Sequence, residues 1–148
     1  MGAEYANYNA DLTRSIPVNG RFTQRQKDVY NSVLKVQREA MDMLRPGNVI
    51  SEYHKEVGKA MESELLKLSL IDKKDIDNQD PKNPAYKKYF MHGTSHHLGL
   101  DVHDVGNVYR KMETGMVFTV EPGIYICNSG GIRIEDMVLV TKKGYKVL

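Results

Sequence analysis

Residues 116–141 read MVFTVEPGIYICNSGGIRIEDMVLVT. Val117, Phe118, Thr119 and Val120 form a β-branched and aromatic run that ends at Glu121-Pro122-Gly123, and Ile124 to Ile126 resume it. After Gly130-Gly131, apolar and polar residues alternate through Ile132, Arg133, Ile134 and Glu135, the period of a strand with one face covered. The spacing predicts a strand, a Pro-Gly turn and a strand over 116–126, and further antiparallel pairing over 130–141. GYKVL at 144–148 extends it. Upstream the period changes. Val29, Val33, Val36, Ala40 and Met43 recur at helical spacing behind a capping box made by Thr23 and Gln26, so a helix is expected to about Leu44, where Arg45-Pro46-Gly47 stops it. Ile50, Tyr53, Val57, Met61, Leu65 and Leu68 predict a second helix from about Ser51 to Leu68. Helices followed by antiparallel strands make an α+β class, an antiparallel sheet with two main helices.

Residues 3–18 carry Tyr, Ile, Val and Thr among polar residues and read as two short strands with a turn near Asn7 to Asn9. Residues 71–88, polar with two prolines, read as a surface excursion. The 148 residues suit one domain with one core. Composition is ordinary for a globular chain, at 41% hydrophobic and 27% charged. With 21 basic and 19 acidic residues the net charge is +2, which gives no case for nucleic acid or a membrane surface as partner. No apolar run approaches the length of a membrane span. The first residues lack the pattern of a signal peptide, and Ala6 breaks a myristoylation motif. A single cysteine, Cys127, excludes an internal disulfide and a thiolate metal cage, and fits a reducing cytoplasm.

Four of the five histidines lie in residues 91–106, MHGTSHHLGLDVHDVG: His92, His96, His97 and His103. Gly93 and Gly99 argue against a helix there. In an extended chain His92 and His96 share a face and His97 points away, so His97 is the structural candidate. Such a cluster points to a polar site. A divalent metal needs carboxylates converging with imidazole, and three stretches offer them. Glu121 ends a strand among buried neighbours; a solvated strand end and a paired or metal-bound carboxylate both fit. Glu135 shares a strand face with Arg133, and spacing alone favours a surface ion pair between them. Asp11, expected within a strand, reads by itself as a turn or surface residue.

Taken together, GAEYANYNADLTRSIPVNGRF, HGTSHHLGLDVHDVG, GMVFTVEPGIYI and GIRIEDMVLVT resemble the pita-bread metallopeptidases. Within that family they are most similar to the Xaa-Pro aminopeptidase (aminopeptidase P) branch, with prolidase a near relative. The resemblance implies two divalent ions, usually manganese, cobalt or zinc, held by two Asp, one His and two Glu. Motif by motif it implies Asp11, His96, Glu121 and Glu135 as metal ligands, with Asp11 and Glu135 bridging. It implies His92 and His103 as active-site histidines beside the substrate, Glu121 as proton shuttle, and Tyr125 and Arg133 as supporting or substrate-contacting groups. The implied reaction is hydrolysis of the bond before a proline in second position. A prolidase and a non-catalytic binding module are the alternatives.

The family's first metal aspartate would fall just before Met1. Residues 1–148 are therefore expected to be the C-terminal portion of a catalytic domain, to retain one ion more firmly than two, and to have impaired activity alone. They are also expected to self-associate or to pair with an upstream segment across exposed sheet edge.

Overall fold

Thr23 starts the first long helix as the sequence predicts. Its hydroxyl accepts the Gln26 N–H and the Gln26 side chain accepts the Thr23 N–H. In the computed structural model, which describes residues 2–148, the elements are β1 (Glu4–Tyr5), β2 (Tyr8–Asn9), α1 (Gln24–Asp42), α2 (Ile50–Lys67), α3 (Lys73–Asp77), β3 (Val117–Val120), β4 (Gly123–Ile126), β5 (Gly130–Arg133), β6 (Asp136–Thr141) and β7 (Gly144–Val147). A 3-10 turn covers Ala85–Lys88. The α+β class is as expected, with the helices followed by antiparallel strands.

Helix α1 buries Val29, Val33, Val36 and Ala40 at the predicted spacing, with Met41 in place of Met43 on the buried stripe. All six predicted apolar residues of α2 and its end are buried. Helix α1 packs on α2 and, on its other side, on β3, β4, β5 and β7, so the core lies between helices and strands. The excursion at 71–88 is anchored by buried Ile71, and α3 within it buries nothing. Among the described residues no helix is long and apolar enough to cross a membrane.

Two expectations need correction. The Pro122-Gly123 step is not a hairpin turn. Strand β3 pairs with β6, and β4 pairs with β5, so Glu121-Pro122-Gly123 carries the chain from one small sheet into another. Proline has no N–H to continue a ladder, which suits a crossing point. At the N-terminus the two strands are only two residues each. Ala6 and Asn7 form the turn with φ of 51° and 66°, the left-handed pair a two-residue hairpin loop requires. Asp11 consequently lies outside any strand, two residues before Thr13, whose isolated bridge to Glu135 helps to tie the segment to the strands, as do bonds from Arg14 to Asp136 and between Ser15 and Arg133.

Gln37 of α1 positions the far ends of two strands. Its buried amide donates to the Val120 carbonyl at 3.3 Å and to Asp136 Oδ2 at 3.0 Å, beside Glu121 and Glu135 respectively. The helices are clamped by buried Glu64, which accepts from Lys35 at 2.7 Å, Lys67 at 2.6 Å and Ser32 at 3.1 Å. Burial pushes its carboxyl up, but these donors outweigh burial and hold it below the usual carboxylate range. A group depressed in the folded state contributes stability above its unfolded pKa and loses it as pH falls through the folded value. Glu64→Gln is therefore expected to be less stable than the parent at neutral pH. The gap should close in acid below the ordinary value of 4.5, as read by urea midpoints across pH.

Candidate metal centre

The histidine segment runs alongside β3 as an irregular antiparallel neighbour. Leu98 donates to the Val117 carbonyl, Thr119 to the His96 carbonyl and Glu121 to the Thr94 carbonyl, and His97 bridges Phe118. Strand β3 thus sits between the histidine segment and β6, and His96 is set opposite Thr119. The Thr119 hydroxyl accepts the His96 N–H at 3.2 Å and lies 3.4 Å from Glu121 Oε1, on the same strand face two residues along. His97 turns the other way, with its ring 4.5 Å from that of Phe118.

Around His96 the predicted residues converge. Its Nε2 is 3.3 Å from Glu121 Oε1 and 3.8 Å from Asp11 Oδ2. One ligand atom each from Asp11, His96 and Glu135 lie within 4.8 Å of one another. The His96 Nδ1 faces the His97 carbonyl at 2.9 Å, and donation there leaves the Nε2 lone pair free. The other predicted groups pair with members of this set or with one another. His103 sets its ring edge-on to His96 at 4.3 Å. His92 Nε2 is 2.7 Å from the Tyr125 hydroxyl. Arg133 Nη1 is 3.8 Å from Glu121 Oε2, and its Nε donates to Thr13 Oγ1 at 3.2 Å.

Glu135 differs from the spacing-based expectation. It is 1% exposed, and Arg133 turns toward Glu121 and Thr13 rather than pairing with it at the surface. The Thr13 hydroxyl donates to Glu135 Oε2 at 2.5 Å, and Arg14 donates to the Glu135 carbonyl and pairs with Asp136. The N-terminal segment therefore covers the strand face that sequence spacing left open.

The electrostatics are those of a site built for a cation. Burial raises the Glu135 carboxyl, and the charges of Glu121 and Asp11 raise it further against the Thr13 hydrogen bond. His96 is lifted despite burial, because Glu121 and Asp11 favour its charged form. Glu121 is held below the usual range, burial being outweighed by His96, His92 and Arg133. Converging carboxylates around an imidazole repel unless a positive charge joins them.

Two buried atoms make the fit specific. His96 Nε2 and Glu135 Oε1 have no hydrogen-bond partner among the described residues. Buried polar atoms left this way are costly. Both belong to the Asp11, His96, Glu135 cluster, and the oxygen and imidazole donor set suits a divalent ion.

Spacing did not single out Thr13, Thr119, Gln37 or His54, all of which touch this centre or its supports. A period-2 reading back from Glu121 finds Thr119, and one forward from Asp11 finds Thr13.

Residues 1–142 match the model of metallopeptidase family M24. The Xaa-Pro aminopeptidase of Haemophilus influenzae is 44% identical over 99% of this chain, which spans 37% of that enzyme. A histidine-to-alanine variant of Escherichia coli aminopeptidase P superposes with a TM-score of 0.88 at 43% identity, covering 99% of this chain and 36% of that one. Zinc-substituted E. coli aminopeptidase P in complex with product gives 0.87 at 43% identity, covering 97% and 35%. The helices and antiparallel strands are thus those of a part of the pita-bread fold, and the chain belongs to metallopeptidase family M24.

Proposed function

We propose that this chain carries the metal centre of an Xaa-Pro aminopeptidase, hydrolysing the peptide bond between an N-terminal residue and a proline. The observation that carries the reading is the pair of buried atoms without a hydrogen bond, His96 Nε2 and Glu135 Oε1, converging with Asp11. Asp11, His96, Glu121 and Glu135 hold the ion in this reading. Manganese is the ion proposed, with zinc and cobalt compatible with the same donors. When bound, such an ion supplies Lewis acidity that polarises a peptide carbonyl and activates water.

The chain's own residues do the rest. The bond before proline is a tertiary amide, and its nitrogen leaves only if a proton is delivered to it. Glu121, ionised at neutral pH and half-buried, accepts a proton on a carboxylate oxygen and passes it to that nitrogen. His103, edge-on to His96, offers a ring N–H to the substrate carbonyl, and His92, held at Nδ1 by the Gly93 carbonyl and at Nε2 by the Tyr125 hydroxyl, borders the substrate beside it. Arg133 orients Glu121 directly and Glu135 through Thr13.

The 148 residues span about a third of the length of the relatives they match and are read as the part of a pita-bread catalytic domain that carries these ligands. Exposed Tyr5, Tyr8, Ile16 and Val18 support self-association, or pairing with an upstream segment of the kind the longer relatives have room for. A reducing cytoplasm suits the free thiol of Cys127.

Incubating the chain with manganese and either Arg-Pro-Pro or a simple X-Pro dipeptide tests the reading. Slow release of arginine from the tripeptide, abolished in Glu121→Gln, is expected. Cleavage of the dipeptide alone would assign a prolidase, and bound metal with no cleavage of either would assign a binding module.

A further inference from the structure

The histidine segment is fastened to α2 by two consecutive side chains. The Tyr53 hydroxyl meets Ser95 Oγ at 2.8 Å in the core. His54, the next residue, directs Nδ1 at the same segment and accepts the Thr94 N–H at 3.2 Å. Its ring also lies against Gly93, where an added Cβ would stand 3.5 Å from Cε1. Thr94 is a junction: it is 1% exposed, and its carbonyl accepts the Glu121 N–H at 2.8 Å.

We propose that His54 is a positioning residue for this centre, its Nδ1 lone pair holding the Thr94 amide and through it the placement of His92, His96 and Glu121. The inference rests on the reading above for its effect on metal, while the His54–Thr94 bond stands apart from it. Thr94 is buried, so losing His54 removes the only side chain that accepts its N–H and leaves that group to water entering the adjoining cavity.

The acceptor role requires a neutral ring with its proton on Nε2. Burial keeps His54 below the ordinary histidine value, which maintains the neutral form. Lys55 on α2, Tyr86 and Lys87 on the 3-10 turn, and His92 on the segment line a cavity of about 300 Å³ with His54, and none is acidic. Protonation in acid would remove the acceptor and release the segment.

The test compares the intact chain with His54→Leu, which lacks an acceptor, and His54→Asn, whose Oδ1 takes the place of Nδ1. In His54→Leu, Thr94 amide exchange is expected to accelerate about tenfold relative to a core amide of α1 such as Val36. Manganese affinity should fall several-fold, and His54→Asn should restore both. Unchanged Thr94 exchange in His54→Leu, or an asparagine variant no better than the leucine one, would overturn the assignment. If His54→Leu does not fold, nitrogen NMR of the parent chain decides: the proposal requires the Nε2–H tautomer, and Nδ1–H would end it. A parent chain that binds no manganese would defeat the metal reading, and Thr94 exchange would still judge His54.

Discussion

Replacing His96 by alanine is expected to lower manganese affinity on the order of 100-fold or more, while the metal-free protein keeps its stability. His96 Nε2 is the one nitrogen in a set of oxygens, and its ring is oriented by the His97 carbonyl. Removing it takes away the nitrogen donor of the set. Glu135→Gln should produce the same loss of metal but, unlike His96→Ala, change the stability of the metal-free fold. It deletes one of three negative charges gathered around a buried point, so the metal-free variant should unfold at higher temperature than the parent. Calorimetric titration with manganese and thermal unfolding in a chelator measure both quantities. Parent-like affinity in both variants would remove these residues from the site.

Phe118→Ala is expected to cost about 3–5 kcal/mol of folding stability, the range for truncating a fully buried phenylalanine. Its side chain is 0% exposed on β3, in the core between helices and strands, and its ring meets that of His97. The effect should reach the site. Phe118 lies between the histidine segment and β6, so a cavity there loosens the strand that carries Thr119 and delivers Glu121. Urea unfolding should show the lower midpoint, and metal affinity should fall even under conditions where the variant remains folded. A loss below about 1 kcal/mol would mean that the strands pack differently from this description.

The two helices were legible in sequence because their packing repeats every three or four residues, and Thr23 and Gln26 mark where the first begins. The strands were legible as strands, but their partners were not. Pro122-Gly123 has the composition of a turn, and only the pairing of β3 with β6 and of β4 with β5 shows it to be a passage between sheets. Glu135 shows the same limit at the site. Alternation put it on the Arg133 face, correctly, yet could not say what covers that face. The cover is Thr13 and Arg14, more than a hundred residues away along the chain. Asp11 reaches His96 across a shorter but still long stretch of chain. A local pattern carries no information about such contacts, so motif resemblance named these residues where spacing alone favoured the surface.

Under the proposed function, Asp11, His96, Glu121 and Glu135 hold one divalent ion between them. Crystals of the chain grown with manganese and measured at the manganese absorption edge test it most directly. An anomalous peak in contact with His96 Nε2 and with carboxylate oxygens of Asp11, Glu121 and Glu135 is the predicted result. A map with no peak at that point, in protein saturated with the metal, would contradict it.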